Sequence, residues 1–371
     1  MVDVAITRCP GYEDCEANLT RCLDLLGGIG SFVNEGDRVL LKLNMLRATD
    51  PEEAVTTHPE MLRAMIKAVR SVDATPVVGD SPGFGSFSHV AEKTGIAQLC
   101  RDEQVEFMEL DEPVKKRNEK GRYQFFEVSQ RLYDVDKVIN MPKLKTHILT
   151  GFTGAVKNLY GCIPGKTKAY MHVTIQDPHD FSGMLVDLLG IVKPTLNVMD
   201  AIIGMEGKGP NAGDPRRIGL ILASPDALAL DRIATDVVRL KDIPLFEEAA
   251  KRRIPSAKGK DIKVLGNQVD ECRIDDFKPA REAHIPRALA KVAKGLFSSR
   301  PIVIPDACIG CGHCAKVCPK KAIEMKDKHP VFSYKECIRC FCCHELCPKK
   351  AIDIQPSVPI RVLTRIRSLF R

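Results

Sequence analysis

The chain has 371 residues, 44% hydrophobic and 28% charged, enough to bury one large core or two modest ones, which excludes a disordered or fibrous protein. No window approaches the roughly 18 uninterrupted apolar residues of a spanning helix, and the opening MVDVAITRCPGY has no basic stretch leading into an apolar one, so a cytoplasmic protein is expected. The net charge of +7 is uneven: residues 281–371 hold 18 Lys/Arg against 7 Asp/Glu, leaving residues 1–280 at −4, and with 5% aromatics and no Trp the basic end lacks the interleaved rings that single-stranded nucleic acid stacks on.

Taken in chain order, VLLKLN (39–44), TPVVGD (75–80), VEFMEL (105–110), KVINMP (137–142), NVMDAIIG (197–204), IGLILAS (218–224) and IKVLG (262–266) are short, rich in β-branched residues and bounded by Gly, Pro, Asp or Asn, as buried strands are. Helical stretches lie between them. HPEMLRAMIKAVRSV places Leu62, Met65, Ile66 and Val69 on one face, and SPDALALDRIATDVVRL opens on a Ser and Asp start signal before repeating Leu228, Ile233 and Val237 at helical spacing. The alternation predicts an α/β domain over 1–278: a mainly parallel sheet with helices on both faces.

Three glycine-rich segments follow predicted strands. GDSPGFGS (79–86) precedes a helix, and its amides, with Ser81, Gly83 and Gly85, suit an anion; the glycine order is not that of a dinucleotide fingerprint. Residues 141–172, MPKLKTHILTGFTGAVKNLYGCIPGKTKAYMH, read as a long loop with Lys143, Lys145, Lys157 and Lys166, no acid, and His147, Asn158 and His172 among the lysines, at the sheet end where open α/β folds bind ligands. GMEGKGPNAGDPRR (204–217) adds Glu206 and Lys208 near Asp200. His172, Asp177, His179 and Asp180 have a spacing that a metal can use, although a helix start explains the two acids as well.

Residues 279–300 read as a basic amphipathic helical linker. An internal repeat follows, CIGCGHCAKVCPKKAIEM from Cys308 and CIRCFCCHELCPKKAIDI from Cys337, and residues 356–371 form a basic tail. Nine of the fifteen cysteines fall between Cys308 and Cys347, which points to thiolates on metal in a reducing compartment. Each repeat has the form C-x2-C-x2-C-x3-C-P: two-residue gaps let a tight turn offer three sulfurs to one cubane while the fourth is carried toward the other. The pairing that follows is Cys308, Cys311, Cys314 and Cys347 on one [4Fe–4S] cluster, and Cys337, Cys340, Cys343 and Cys318 on the second. Zinc, the structural alternative, leaves the third Cys, the Pro and the repeat unexplained. Cys342 is surplus to the pattern and reads as a packing residue beside a cluster; the remaining body cysteines read as buried thiols, with Cys162 notable for its place among the lysines.

Residues 302–355 resemble the bacterial-type two-cluster ferredoxin, a small α+β domain, which implies low-potential one-electron transfer. The whole chain resembles the family called domain of unknown function 362, in its members that carry such a ferredoxin at the carboxyl end. The resemblance rests on GDSP (79–82), PKLKTH (142–147), GAVKNLYGCIPG (154–165), GMEGKGP (204–210) and CIRCFCCHELCP (337–348). Within that pattern a cysteine at the place of Cys342 is usual.

The expected organisation is an α/β substrate domain (1–278), a linker (279–300), a ferredoxin domain (301–355) and a tail (356–371). The expected function is an iron–sulfur oxidoreductase whose two-cluster module passes electrons to or from an anionic substrate or cofactor in the α/β domain. Lys143, Lys145, Lys166, Lys208, Asn158, Glu206 and the Ser81 to Gly85 loop would bind the anion, and His147, His172 and Lys157 would move protons. A redox partner protein is expected, and a further non-covalent cofactor would supply a two-electron centre. The rival is a ferredoxin-like carrier or adaptor that docks onto a partner enzyme.

Overall fold

Buried backbone amides and carbonyls must pair, and in the computed structural model, which describes residues 1–280 and 299–355, the apolar runs do so in one ten-stranded sheet. Its strands are β1 (Val2–Arg8), β2 (Arg38–Lys42), β3 (Thr75–Asp80) and β4 (Glu106–Glu109), then, after a separate hairpin β5 (Pro113–Arg117) and β6 (Phe125–Ser129), β7 (Lys137–Asn140), β8 (Lys143–His147), β9 (Gly151–Thr153), β10 (Leu196–Glu206), β11 (Asp214–Ser224) and β12 (Ile262–Gly266). The order is β12-β1-β11-β10-β7-β2-β3-β4, with β8 joined to β10 and β9 to β8. Pairing is parallel except at β1–β11, β10–β11 and β8–β9.

The two-residue period of the strands sorts side chains to opposite faces. Val39 and Leu41 of β2 enter one core, with α1 (Cys15–Asp24), α2 (Pro59–Arg70), α3 (Phe87–Lys93) and α4 (Ile96–Asp102). Leu40 enters the other, with α5 (Ala155–Asn158), α6 (Gly165–Thr174), α7 (Pro178–Val192), α8 (Ala227–Val237) and α9 (Pro244–Lys251). Helix starts are fixed by side-chain caps: Asp226 accepts the amides of Leu228 and Ala229, and Asp177 those of His179 and Asp180.

Three features depart from the sequence reading. Residues 141–172 are not a loop, because β8, β9, α5 and α6 occupy most of them. Segment 204–217, between two predicted strands, holds the turn of the β10–β11 hairpin, whose 11-residue arms reach into the segment from both sides and carry a register shift between Ala201 and Ile203. Strand β1 was missed because Asp3, Thr7 and Arg8 break up its apolar run, yet it lies between β11 and β12.

A second, smaller body holds β13 (Arg300–Val303) paired with β16 (Ile352–Gln355), β14 (Ile323–Lys326) paired with β15 (His329–Phe332), and one-turn helices His313–Lys316 and Cys342–Glu345. Its core is Ile323, Cys343, Cys347, Ala351 and Ile352, so small that a fold of this kind needs staples beyond hydrophobic burial. Residues 281–298 of the predicted basic linker (279–300) and the whole basic tail, 356–371, lie outside the described residues. Among the described residues no helix is long and apolar enough to cross a membrane.

Candidate functional site

The carboxyl ends of β2 and β3, the start of β8 and the middle of β10 deliver charged side chains into one buried layer. Lys42 ends β2 and Asp80 ends β3, and they pair at 2.7 Å with 0% and 2% side-chain exposure. Lys143, the first residue of β8, donates to Asp200 of β10 at 2.8 Å and to the Tyr12 hydroxyl at 2.8 Å, while Tyr12 itself donates to Asp200 at 3.1 Å. Such pairing is what lets an ammonium remain in a dry interior. Lys168 is satisfied differently, by the carbonyls of Ser81 and Pro82 at 2.6 and 3.2 Å.

Lys145 breaks the pattern. Its ammonium is 1% exposed and donates to the Val55 carbonyl at 2.7 Å, and among the described residues no carboxylate lies within ion-pair distance of it. Burial holds its pKa well below the ordinary lysine value, and Lys157 and Lys143 push it the same way. Lys157, on α5, lies over the rings of Tyr160 and Phe181 at 5.9 and 5.7 Å; burial lowers it to about 8 against the pull of Glu345. The wall that supplies Val55, residues 44–57, carries further buried polar groups. Arg47 bonds Asn211, the Ala48 carbonyl at 3.0 Å and Glu53 at 3.1 Å, while Asn44 Oδ1, Thr56 Oγ1 and Asn211 Nδ2 have no protein partner. A buried amine with no carboxylate partner, held to a wall in which the neighbouring Thr56 hydroxyl has no protein partner, is what an anionic ligand would satisfy.

The small body is docked over this layer. Glu345, in the helix Cys342–Glu345, is buried between two imidazoles, its Oε2 3.5 Å from His172 Nε2 and its Oε1 3.7 Å from His147 Nε2. His147 Nδ1 accepts the amide of Leu149 at 3.1 Å, so the neutral ring carries its proton on Nε2, facing the carboxylate. Burial, reinforced by Lys157, holds His147 well below the usual histidine value. Burial opposes the charge of Glu345, but the imidazoles of His147 and His172 and the Lys157 ammonium outweigh it and hold the carboxyl below the usual carboxylate range. Lys208–Asp353 at 2.7 Å, Lys350–Glu53 at 3.3 Å and the Phe84 ring 4.2 Å from His313 complete the contact.

Two small cavities lie in the small body. One is lined by Cys308, Cys311, Cys314 and Cys347, the other by Cys318, Cys337, Cys340 and Cys343, so each takes its fourth thiol from the other repeat. Backbone amides donate to three of the sulfurs: Ala322 to Cys318 at 3.2 Å, Ala351 to Cys347 at 3.2 Å and Arg339 to Cys337 at 3.4 Å. Among the described residues no three His, Cys, Asp or Glu side chains are gathered closely enough for a single metal ion. Four thiols around a cavity, with N–H groups aimed at sulfur, fit an iron–sulfur cubane. Cys342 lines the second cavity and hydrogen-bonds the Cys340 sulfur, an interaction that lowers Cys340 to about 6 and raises Cys342.

Several anticipated site residues have other work. The amides of Gly83 and Phe84 donate to the carbonyls of Met45 at 3.3 Å and Leu46 at 2.9 Å, and the Ser81 amide to Asp80 at 2.8 Å, so these groups do not cradle an anion. Gly83 is needed for this close approach, since a Cβ there would stand 2.7 Å from Leu46 Cδ1, and Gly85 sits in a turn at φ +90°. The Asn158 amide donates to Leu43 and Asn140, and Glu206 accepts from the Lys278 backbone at 3.1 Å; both are structural. Lys208 faces Asp353 rather than a cleft, and the Lys166 side chain lies outside the described residues. The metal spacing of His172, Asp177, His179 and Asp180 does not form a site: Asp177 caps α7, Asp180 pairs with Arg122 at 2.7 Å, and His179 lies beside Glu247 and Glu248. Burial raises Cys162 to about 12, an inert thiol. Lys42, Asp80, Arg47 and Glu345 were not anticipated.

The family model described as Domain of unknown function (DUF362) matches residues 39–236, and a 4Fe-4S dicluster domain matches residues 300–348. A thylakoid-associated protein of Synechocystis sp. is 39% identical over 254 residues, 68% of this chain and 79% of that protein. The lactate racemase apoprotein of Thermoanaerobacterium thermosaccharolyticum aligns in structure with a TM-score of 0.43 and 11% identity, covering 66% of this chain and 58% of its own. A Thermotoga maritima protein gives a TM-score of 0.38 and 12% identity, covering 60% and 57%. The chain therefore spans less than two thirds of the length of either solved structure.

The two β8 lysines should behave oppositely on substitution. Lys143→Met orphans Asp200 and should cost about 3–5 kcal/mol, whereas Lys145→Met removes an uncompensated buried charge and should leave stability unchanged or raise it by about 1 kcal/mol. Urea unfolding of both variants checks this, and an equal loss in both would show that Lys145 serves the fold.

Proposed function

Because the chain belongs to the family described as domain of unknown function DUF362 and carries a 4Fe-4S dicluster domain, we propose an iron–sulfur oxidoreductase that passes electrons between its dicluster module and a small anion bound in the α/β domain. The observation that carries this reading is the placement of Glu345. It belongs to the cysteine motif of the second repeat, yet lies between His147 and His172 of the α/β domain, with Lys157 near. Two [4Fe–4S] clusters, held by Cys308, Cys311, Cys314 and Cys347 and by Cys318, Cys337, Cys340 and Cys343, would supply single electrons at low potential.

The chain's own groups divide the remaining work. Lys145 and Lys157 hold the anion, the first as an uncompensated buried charge, the second at the edge of the imidazole pair. His147, with its proton on Nε2, and His172 are positioned to give or take the proton that accompanies reduction of an organic group. The docked small body excludes water from this layer, which strengthens every charge interaction within it. A non-covalent cofactor in the same layer, or two single electrons in succession, completes a two-electron reaction.

Ligand grouping is tested by iron content in variants. The intact chain should hold about eight irons and Cys347→Ser about four. Adding Cys311→Ser to Cys347→Ser should lose little more, while adding Cys337→Ser should empty both sites; the reverse pattern would overturn the crossed grouping. Anion binding is tested by pH. Lys157 binds while protonated, so affinity for acetate or phosphate should be full below about 8 and fall up to about tenfold per pH unit above it. Lys157→Met should flatten that profile in calorimetric titrations, and an unchanged profile would remove Lys157 from the anion site.

A further inference from the structure

Of the fifteen cysteines, Cys311 alone is exposed. It lines the first cavity, and the neighbouring Ile309 is 62% exposed, an apolar side chain held out beside a sulfur of that ring. The turn between them is braced: Gly310 has φ +67°, and a Cβ there would meet the Lys328 carbonyl at 2.7 Å and its Cβ at 2.9 Å. Lys328 is therefore packed against the same edge. Lys349 also lines the cavity, Lys316 closes the helix that begins at His313, and all three lysines are exposed.

Acids are scarce on this rim. Residues 299–355 contain ten Lys/Arg and six Asp/Glu, and of the six, Glu345 and Asp353 are turned into the α/β domain while Glu324 pairs with Lys326 at 3.3 Å. Three exposed acids remain, Asp306, Glu336 and Asp327, the last beside Lys328. Negative charge of a cluster would sit behind Cys311, on the side of Cys347, where Arg47 lies close enough to feel the thiolate. The ammonium groups stand outward.

We propose that the rim of Ile309, Cys311, Lys316, Lys328 and Lys349 is the docking port for a small acidic one-electron redox protein, which exchanges electrons with the ring of Cys308, Cys311, Cys314 and Cys347. The inference rests on the reading that this ring holds a cluster. The step moves one electron between a reduced and an oxidised cofactor and requires no bond change. An apolar contact at the exposed sulfur shortens the transfer distance, and a ring of lysines steers an acidic partner and sets its orientation.

The test uses the full chain carrying its clusters and an acidic [2Fe–2S] ferredoxin as probe. Calorimetry should give binding that weakens at least tenfold between about 20 and about 300 mM salt, and Lys316→Glu/Lys328→Glu/Lys349→Glu should weaken it about tenfold or more at low salt. Ile309→Asp, a single exposed change, provides the same loss should the triple variant fold poorly. Reduction of the clusters by a small viologen should be equal in all forms. Binding that ignores both salt and these substitutions would overturn the proposal, as would binding to phosphatidylglycerol vesicles with none to the ferredoxin. Equal slowing of viologen and ferredoxin would also overturn it, by assigning the effect to the ring itself. A chain that the viologen cannot reduce at all would instead indict the cluster reading.

Discussion

The organisation of this molecule depends on the burial of one carboxylate. Glu345 lies in the four-residue helix between cavity-lining cysteines, and a carboxylate cannot leave water unless cations or N–H donors meet it. Among the described residues of the small body no cation lies within ion-pair distance of it. His147 at the end of β8, His172 on α6 and Lys157 on α5 supply them, so the charge of Glu345 is satisfied only when the small body sits on the carboxyl edge of the sheet. That one requirement fixes which face of the cysteine-rich body points inward, and it brings Cys340 and Cys342 to the electrostatic neighbourhood of His172 and Glu345. The outer ion pairs Lys208–Asp353 and Lys350–Glu53 are partly exposed and add orientation more than energy.

Beneath this contact the α/β domain arranges its lysines unequally. Lys42 and Lys143 each meet a buried carboxylate, and Lys168 meets two carbonyls, so these three are accounted for by the fold. Lys145 meets one carbonyl and sits near unpaired side-chain atoms of the 44–57 wall. Proteins rarely keep an uncompensated buried cation for stability, because an apolar side chain of similar length costs less. The sheet topology explains the location: parallel strands ending together bring their carboxyl ends to one edge, here covered by the small body instead of a loop.

How much of this was legible in the sequence differs by element. The cysteine repeat carried its own geometry, because two-residue gaps constrain where sulfurs can point, and the strands at 39–44, 75–80 and 137–142 announced themselves by composition. Residues 141–172 were recognised as the polar centre but read as a loop, since their lysines and glycines mask two short strands that are buried through tertiary pairing. The GDSP segment looked like an anion cradle, yet its amides are spent on Met45 and Leu46, partners that only the folded chain brings near. Glu345 was invisible for a different reason. It lies inside a motif whose cysteines explain the motif by themselves, and its partners are some 170 and 200 residues away in sequence.

Electron transfer to a substrate in this molecule requires an anion in the α/β layer to lie within reach of a cluster. The most direct measurement is the EPR spectrum of the dithionite-reduced, anaerobically purified chain, recorded with and without a carboxylate or phosphate that calorimetry has shown to bind. The signal of one cluster should shift on adding the bound anion, and Lys145→Met should abolish the shift while leaving the ligand-free spectrum intact. A spectrum that stays the same with every anion that binds would contradict it, and would leave the dicluster module as a carrier unconnected to the lysine layer beneath it.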